Sequence, residues 1–389
     1  MSSLCVDVGF KSINKYGEQL CGDMVQVVKE AETTTFVLAD GLGSGVKANI
    51  LSTLTSKIIA TMISEQMSID ECVNTISATL PVCSVRGVAY ATFTIIRITN
   101  NSVAEIIQFD NPEVIMLRNG KQYEYPVETR IIAGKKILES KIQLECDDMF
   151  IAMSDGAIYA GVEQTLNYGW QRENIAEYAE KHHDNSTSAQ AMASLIVDAC
   201  NDLYNNEPGD DTTVGAIRVR KRKAVNLMFG PPREDSELNK MMALFFAKQG
   251  RHIVSGGTTS GLVAKYLGKQ METSIDYYDP DIPPTAKIDG VDLVTEGVLT
   301  INRVVEYAKD FLGEKEFYND WLVKKDGASQ IARHLFEEAT DINFYIGRAV
   351  NPAHQNPNLP IGFNIKMQLV EELSKNLKEM GKTVNVSYF

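Results

Sequence analysis

Phe36-Val37-Leu38-Ala39-Asp40-Gly41-Leu42-Gly43-Ser44-Gly45 is the stretch whose reading decides the fold. A short apolar strand runs into a carboxylate, glycines follow at alternate positions, and a helical pattern begins at once. Over residues 46–63 the apolar side chains Ile50, Leu51, Leu54, Ile58, Ile59 and Met62 recur at helical spacing. Gly43 and Gly45 permit a tight passage from strand to helix, and Gly41 leaves its carbonyl open to a close ligand.

The aspartate at a strand end recurs three times. Gly22-Asp23 opens an expected strand over 24–28. Asp155 follows the apolar run Phe150-Ile151-Ala152-Met153 and sits between Ser154 and Gly156. Gly209-Asp210-Asp211-Thr212-Thr213 opens an expected strand over 212–220. Carboxylates gathered in one place repel each other, and a cation removes that penalty. Mg²⁺ and Mn²⁺ prefer oxygen ligands, keep several waters and need few carboxylates. Two such ions can activate a water and hold a phosphoryl group. A single Asp-Gly after a strand is usually a turn. The ordered set of four is what points to metal chemistry.

Outward from these motifs, strands are expected over 5–10, 35–39, 89–98, 102–109, 113–117 and 149–153, with hairpin signals at Asn100-Asn101 and Asn119-Gly120. Helices are expected over 46–63, 68–80, 172–182 and 188–204. The second opens on Ser68 and Glu71, a capping-box pair. Many antiparallel strands with helices in two groups predict an α/β fold built as an antiparallel β-sandwich flanked by helices. Beyond residue 220 the rhythm changes. Strands over 225–229, 252–254, 274–278, 291–294, 342–346 and 384–388 are separated by helices over 236–249, 261–267, 300–311 and 364–380. That alternation predicts a doubly wound, mostly parallel sheet.

Charge divides the chain at the same point. The 389 residues carry a net −13. Residues 1–220 hold 17 basic and 29 acidic side chains, and 221–389 hold 21 and 22. All six cysteines lie in the first part. Arg218-Val219-Arg220-Lys221-Arg222-Lys223 marks the change and reads as a solvated strand edge, being too short for a nucleic-acid patch. Domains over 1–220 and 221–389 are therefore expected.

With 44% hydrophobic and 23% charged residues, the composition is that of a globular protein. Its acidity argues against nucleic acid and anionic membrane surfaces as partners. No apolar run reaches the length of a membrane span. The first residues lack a secretory pattern, and no cysteine pair has zinc-ligand spacing. A cytoplasmic location with reduced thiols is expected. Cys21, near Asp23, reads as a buried, inert thiol. His182-His183 reads as a helix end favoured by the dipole.

On the motifs Gly22-Asp23, Asp40-Gly41 with Gly43 and Gly45, Ser154-Asp155-Gly156 and Asp210-Asp211 with Thr213, residues 3–220 resemble the PPM-type metal-dependent protein phosphatases, the phosphatase 2C group. The likeness is to their bacterial SpoIIE-like branch in particular. The segment Gln108-Phe109-Asp110-Asn111-Pro112-Glu113-Val114 falls where such phosphatases turn before the next apolar strand. The resemblance implies a signalling enzyme with two Mn²⁺ or Mg²⁺ ions. It would hydrolyse phosphoserine or phosphothreonine in a phosphoprotein substrate by a metal-bound water. It further implies that Asp40 bridges both metals, that the Gly41 carbonyl binds one, that Asp155 and Asp211 complete the second, and that Asp23 binds directly or through water. Asp40, Asp155 and Asp211 are then the catalytic set. Many relatives carry a phosphate-binding arginine before the first motif. Here Lys15-Tyr16-Gly17-Glu18-Gln19-Leu20-Cys21 has none, which implies low intrinsic activity or dependence on a partner. A homodimer is a separate expectation. In this branch the helices that match 46–63 and 68–80 are thought to move and to complete the metal site, and a regulatory switch is expected of them here.

Residues 221–389 carry no such resemblance. Their most informative segment is Ser255-Gly256-Gly257-Thr258-Thr259-Ser260, a loop between a strand and a helix that suits a small anionic ligand. It lacks the Gly-Lys-Ser/Thr of a P-loop and the dinucleotide fingerprint. The alternative is a plain turn at Gly256-Gly257. Gly230-Pro231-Pro232, Thr295-Glu296-Gly297 and the loop 348–360 are expected at the same sheet end, where doubly wound folds bind ligands. Asp276, Asp279 and Asp281, interrupted by prolines, read as an extended connection and not as a metal loop. The leading expectation is a phosphatase with a regulatory second domain. Its rivals are a scaffold that has lost turnover and a second-domain enzyme regulated by the first.

Overall fold

The computed structural model describes residues 4–30, 32–79, 91–184, 187–274, 276–313, 317–349 and 365–389. Leu80, Cys83, the start of the strand expected at 89, residues 350–360 of the expected loop and Asn364 lie outside them. The chain separates into two compact units, Met1–Lys221 and Arg222–Phe389.

In the first unit the strands are β1 (Leu4–Ile13), β2 (Asp23–Lys29), β3 (Thr34–Gly41), β4 (Ala91–Thr99), β5 (Val103–Phe109), β6 (Ile115–Arg118), β7 (Lys121–Gln122), β8 (Glu128–Ile132), β9 (Lys135–Gln143), β10 (Met149–Met153) and β11 (Thr212–Lys221). The helices are α1 (Gly45–Ser64), α2 (Ile69–Thr79), α3 (Asp155–Ile158), α4 (Arg172–His182) and α5 (Ala189–Leu203). The strands form two antiparallel sheets, ordered β1-β11-β10-β6-β7 and β2-β3-β4-β5-β9-β8.

Alternation along the strands divides the core into layers. In β10, Phe150 and Ala152 face a cluster shared with Phe36, Leu38, Ile96 and Ile106 of the other sheet. Met149, Ile151 and Met153 point the other way, under α4 and α5. Likewise Val37, Phe93 and Ile95 turn outward beneath α1 and α2. The two sheets therefore meet face to face, with helices on each outer surface.

Local chemistry explains several elements. Asn100-Asn101 and Asn119-Gly120 all have positive φ, the hairpin turn their sequence signals. The Ser68 hydroxyl accepts from the Glu71 N–H at 3.3 Å, and the Glu71 carboxylate accepts from the Ser68 N–H at 2.9 Å, closing the capping box. Strands β8 and β9, over 128–143, escape the hydrophobic pattern. Glu128, Arg130, Lys135, Lys136, Glu139 and Lys141 dilute it, as charged residues commonly do at a sheet edge.

The second unit holds β12 (Ala224–Phe229), α6 (Leu238–Ala247), β13 (Arg251–Ser255), α7 (Gly257–Leu267), β14 (Met271–Thr273), β15 (Ala286–Ile288), β16 (Val291–Thr295), α8 (Val298–Leu312), α9 (Tyr318–Val323), α10 (Gly327–Ala332), β17 (Asp341–Ile346), α11 (Ile365–Glu379) and β18 (Thr383–Tyr388). The sheet order is β14-β15-β16-β13-β12-β17-β18. From β16 to β18 all pairs are parallel, and β14 and β15 add an antiparallel edge. Helices α8 to α11 pack on one face around Trp321, and α6 and α7 on the other around Phe245.

Across three parallel strands, Asn226, Asn343 and Asn385 stand in register and bond amide to amide, at 2.9 and 3.2 Å. Asn226 is fully buried and gives its remaining N–H atoms to the Gln249 and Arg251 carbonyls. Two expectations need correction. The strand expected over 274–278 lies earlier, at Met271–Thr273, where antiparallel partners are available from β15. The helix expected from 261 begins at Gly257, because Gly256, at φ +116°, turns the chain there and its carbonyl accepts the first bond from Ser260.

A close fit between the first unit's two sheets offers a test. Gly215 of β11 faces the ring of Phe36 from β3, and a Cβ at Gly215 would stand 2.2 Å from that buried ring. Gly215→Ala should destabilise the unit by about 1–3 kcal/mol through overpacking. Pairing it with Phe36→Leu should recover part of the loss in urea unfolding.

Candidate metal centre

The carboxylates come from the ends of both sheets. In the six-stranded sheet of the first unit, β2 and β3 pair so that Asp23 stands opposite Asp40. In the other, β10 and β11 run together up to Met153 and Val214, and the Ser154 N–H continues the ladder to the Thr213 carbonyl at 3.0 Å. Asp155 starts α3 just beyond, and Asp211 precedes β11. One hydroxyl ties the two sheets together here. Ser154 Oγ donates to Asp23 Oδ2 at 2.7 Å and accepts from the Thr213 N–H at 2.9 Å. Asp211 is held by the Lys15 N–H, which donates to Oδ1 at 3.0 Å.

Glycines make room for this gathering. A Cβ at Gly41 would stand 2.1 Å from the Ala48 carbonyl of α1, and one at Gly156 would stand 2.2 Å from the Asp211 carbonyl. The Asp-Gly motifs are thus fixed by backbone crowding as well as by turn geometry.

Burial and mutual repulsion make these carboxyls hard to ionise together. Burial, then repulsion from Asp23, Asp155, Asp210 and Asp211, pushes Asp40 up to about 9. Burial also pushes Asp23 up to about 7, against the pull of hydrogen bonds from Ser154 and Thr213. Asp155 is raised by burial and then by Asp210. Asp210 is raised by burial and eased by Lys15. Asp23 Oδ1 and Asp211 Oδ2 are both buried without a hydrogen-bond partner.

An all-oxygen donor set, crowded negative charge and two orphaned carboxylate oxygens fit a divalent cation of the Mg²⁺ or Mn²⁺ kind. Among the described residues, no group of three or more His, Cys, Asp or Glu side chains is placed to hold an ion by itself. The set suits an ion that retains much of its water, as Mg²⁺ does.

The expected residues Asp23, Asp40, Gly41, Asp155 and Asp211 all fall in this one neighbourhood, with Asp210 beside them. Two contributors escape sequence reasoning. Ser154 is the hydroxyl bridge, and only its place in the Ser-Asp-Gly motif hints at it. Asp110, at φ +58° in the turn after β5, adds to the repulsion on Asp155. Gln108 builds that turn by donating to the Pro112 carbonyl and accepting from the Val114 N–H, and Thr92 donates to Asn111. Cys21 is half-buried, its thiol pushed up by burial and by Asp23.

In the second unit, the expected loop lies at the start of α7. Ser255 Oγ donates to the Glu296 carbonyl at 2.7 Å and Ser260 Oγ to the Gly256 carbonyl at 2.9 Å. Thr259 is buried, and Gly257 and Thr258 are exposed. Asp276 lies in irregular chain, Asp279 forms an isolated antiparallel bridge with Ile282, and Asp281 lies in the turn between them, its N–H donating to Asp279 Oδ1.

The charge pattern sets a pH dependence. Asp23 and Asp40 hold protons in the folded, ion-free protein that the unfolded chain releases near pH 4. Stability without divalent ions should therefore fall as pH rises from about 4 toward 9, by at most about 1.4 kcal/mol per pH unit for each group. Asp40→Asn should flatten that slope, and added Mg²⁺ should offset it. Thermal unfolding with and without chelator reads both. Ser154→Ala should weaken metal affinity by about 10–100-fold while leaving the ligands themselves intact.

Comparison with known proteins adds the family. Residues 30–220 match the model of the Stage II sporulation protein E (SpoIIE) family. No curated protein matches the chain. Among solved structures, it is similar to the PP2C phosphatase domain with a regulatory fragment of SpoIIE from Bacillus subtilis. That match has 19% identity and a TM-score of 0.49, and covers 57% of this chain and 65% of that one. The RsbU and RsbW domains of a Mycobacterium tuberculosis protein match at 16% identity and a TM-score of 0.48, covering 61% and 68%. RsbX in complex with magnesium matches at 19% and 0.39, covering 55% and 95%. The resemblance to PPM-type phosphatases of the SpoIIE-like branch, read from the aspartate motifs, is borne out: residues 30–220 carry a SpoIIE-family domain.

Proposed function

We propose that the first unit is a metal-dependent serine/threonine phosphatase acting on a phosphoprotein. The observation that carries this reading is the crowd of buried carboxylates at the ends of two sheets, with Asp23 Oδ1 and Asp211 Oδ2 unpartnered. Asp40, Asp155 and Asp211, with Asp23 and the Gly41 carbonyl, would hold two Mn²⁺ or Mg²⁺ ions. When bound, such ions polarise a phosphoryl group and acidify a water at neutral pH.

The chain's own residues do the rest. Ser154 fixes the rotation of Asp23 through a bond anchored to the opposite sheet. The Lys15 backbone N–H orients Asp211. The Lys15 side chain, close enough to ease the charge on Asp210, is a candidate to meet a substrate phosphate. Helices α1 and α2, joined to the strand that carries Asp40, serve as the regulatory switch. The acidic surface of residues 1–220 favours a basic face on the substrate protein.

The domain division at residues 220 and 221 and a regulatory role for the second unit, as a sensor of a small anion, belong to the same reading. So do a cytoplasmic location and a homodimer as the regulated form. Among the described residues, no helix is long and apolar enough to cross a membrane.

Hydrolysis of a phosphoserine peptide with Mn²⁺ tests the proposal. Asp40→Ala and Asp155→Ala should each lower turnover by about 100-fold or more. Chelation should abolish activity and added Mn²⁺ restore it. Turnover that survives both substitutions would remove the mechanism.

A further inference from the structure

We propose that the second unit binds a small organic oxyanion, its phosphate or carboxylate seated on Lys366 beside the carboxyl ends of strands β12 and β17. The inference deepens, and rests on, the reading of this unit as a ligand sensor.

Strand order comes first. From β12 the chain builds outward through β13 and β16, then returns to the other side of β12 for β17 and β18. The segment after β12 leads to α6 on one face of the sheet, and the segment after β17 leads to α11 on the opposite face. Such a reversal opens a crevice at the carboxyl ends of the two strands, and ligands bind there in doubly wound sheets.

Lys366 stands at that crevice. It is 8% exposed. Its Nζ donates to the Ala349 carbonyl at 3.1 Å, and a Cβ at Gly230, the residue after β12, would stand 2.5 Å from Nζ. Gly347, the residue after β17, leaves no space for a side chain against the Pro231 carbonyl, so the two strand exits are pressed together around the ammonium. Among the described residues no carboxylate pairs with Lys366, and residues 350–364 contain no Asp or Glu in sequence. Burial alone pushes its pKa down. An ammonium carries three donors, and one is engaged. A buried charge without a counter-ion is unfavourable, and an oxyanion is the partner that would complete it.

Two helix N-termini adjoin the crevice. Gly256 and Gly297 cap α7 and α8, neither helix has a side-chain cap, and a Cβ at Gly297 would stand 3.3 Å from Gly256 Cα. The same Cβ position lies 3.4 Å from the Phe229 ring, whose centroid is 6.0 Å from Lys366 Nζ. Both helix ends bring partial positive charge. The Thr300 hydroxyl in the first turn of α8 is fully buried without a partner, and Oε2 of Glu296, two residues before that helix, is buried and unpartnered too. Thr300 can donate to the anion, and Glu296 can accept from a hydroxyl or amine on the ligand body. The ligand class is therefore a phosphate or carboxylate that carries at least one hydroxyl or amine.

Calorimetry on the full chain with inorganic phosphate, ribose 5-phosphate and malate tests this, the arms separating phosphate from carboxylate. At least one probe should bind, and Lys366→Met should weaken it about tenfold or more. Lys366→Arg should retain part of the affinity and part of the ligand-induced rise in Tm, which guards against a variant that merely unfolds. No binding by any probe, or equal affinity in Lys366→Met, would overturn the site. Binding that leaves Mn²⁺-dependent phosphopeptide turnover unchanged upholds the site and removes the sensor role.

Discussion

Repulsion among buried carboxylates governs the first unit. Asp23 and Asp40 face each other across a strand pair, and Asp155, Asp210 and Asp211 approach from the other sheet. Nothing apolar gathers these groups. They are delivered by strands whose cores are set elsewhere, by Phe36, Phe150 and Ile217 between the sheets and by helices outside. The fold supplies the energy and the site draws on it. Apolar burial stabilises by about 25 cal/mol per Å², so a core of this size can hold a handful of carboxyl groups in a place they would not choose.

The main elements were legible because their patterns were uncomplicated. The strand Met149–Met153 and the helix Arg172–His182 have the limits their periodicity predicts. Asn100-Asn101 and Ser68 with Glu71 announce their turn and cap by local chemistry. The edge strand β8 and its neighbour β9 did not show, since charged residues at and near a sheet edge are placed for reasons unrelated to the core. The start of α7 did not show either. Gly257, Thr258 and Thr259 are weak helix formers, and it is the backbone at Gly256 that begins the helix. The gathering of the aspartates could be anticipated in sequence because each stands at the end of a strand, and β2, β3, β10 and β11 bring those ends to one place. Ser154 could not, because its role lies in a bond across 131 positions of sequence to Asp23.

In the second unit the sheet end was foreseeable from the glycine-rich loops, but its charge was not. Lys366 lies far along the chain from Gly230 and Gly256, on a helix whose pattern reads as ordinary amphipathic surface. Only the parallel pairing of β12 with β17 brings it to the crevice. The loop hydroxyls that sequence reasoning favoured, Ser255 and Ser260, are instead engaged with backbone carbonyls. Their work is to shape the turn.

The fit of Phe36 against Gly215 has a reach beyond packing. The metal-site carboxylates stand on two separate sheets, so the distance between them is the gap of a caliper whose jaws are those sheets. The ring of Phe36 sets how far the jaws close, and the Ser154 bridge to Asp23 sets how far they open. If these carboxylates hold the proposed ions, core volume and ion preference are coupled quantities. A change in the thickness of the interior, well away from any ligand, would retune the site for a larger or smaller cation.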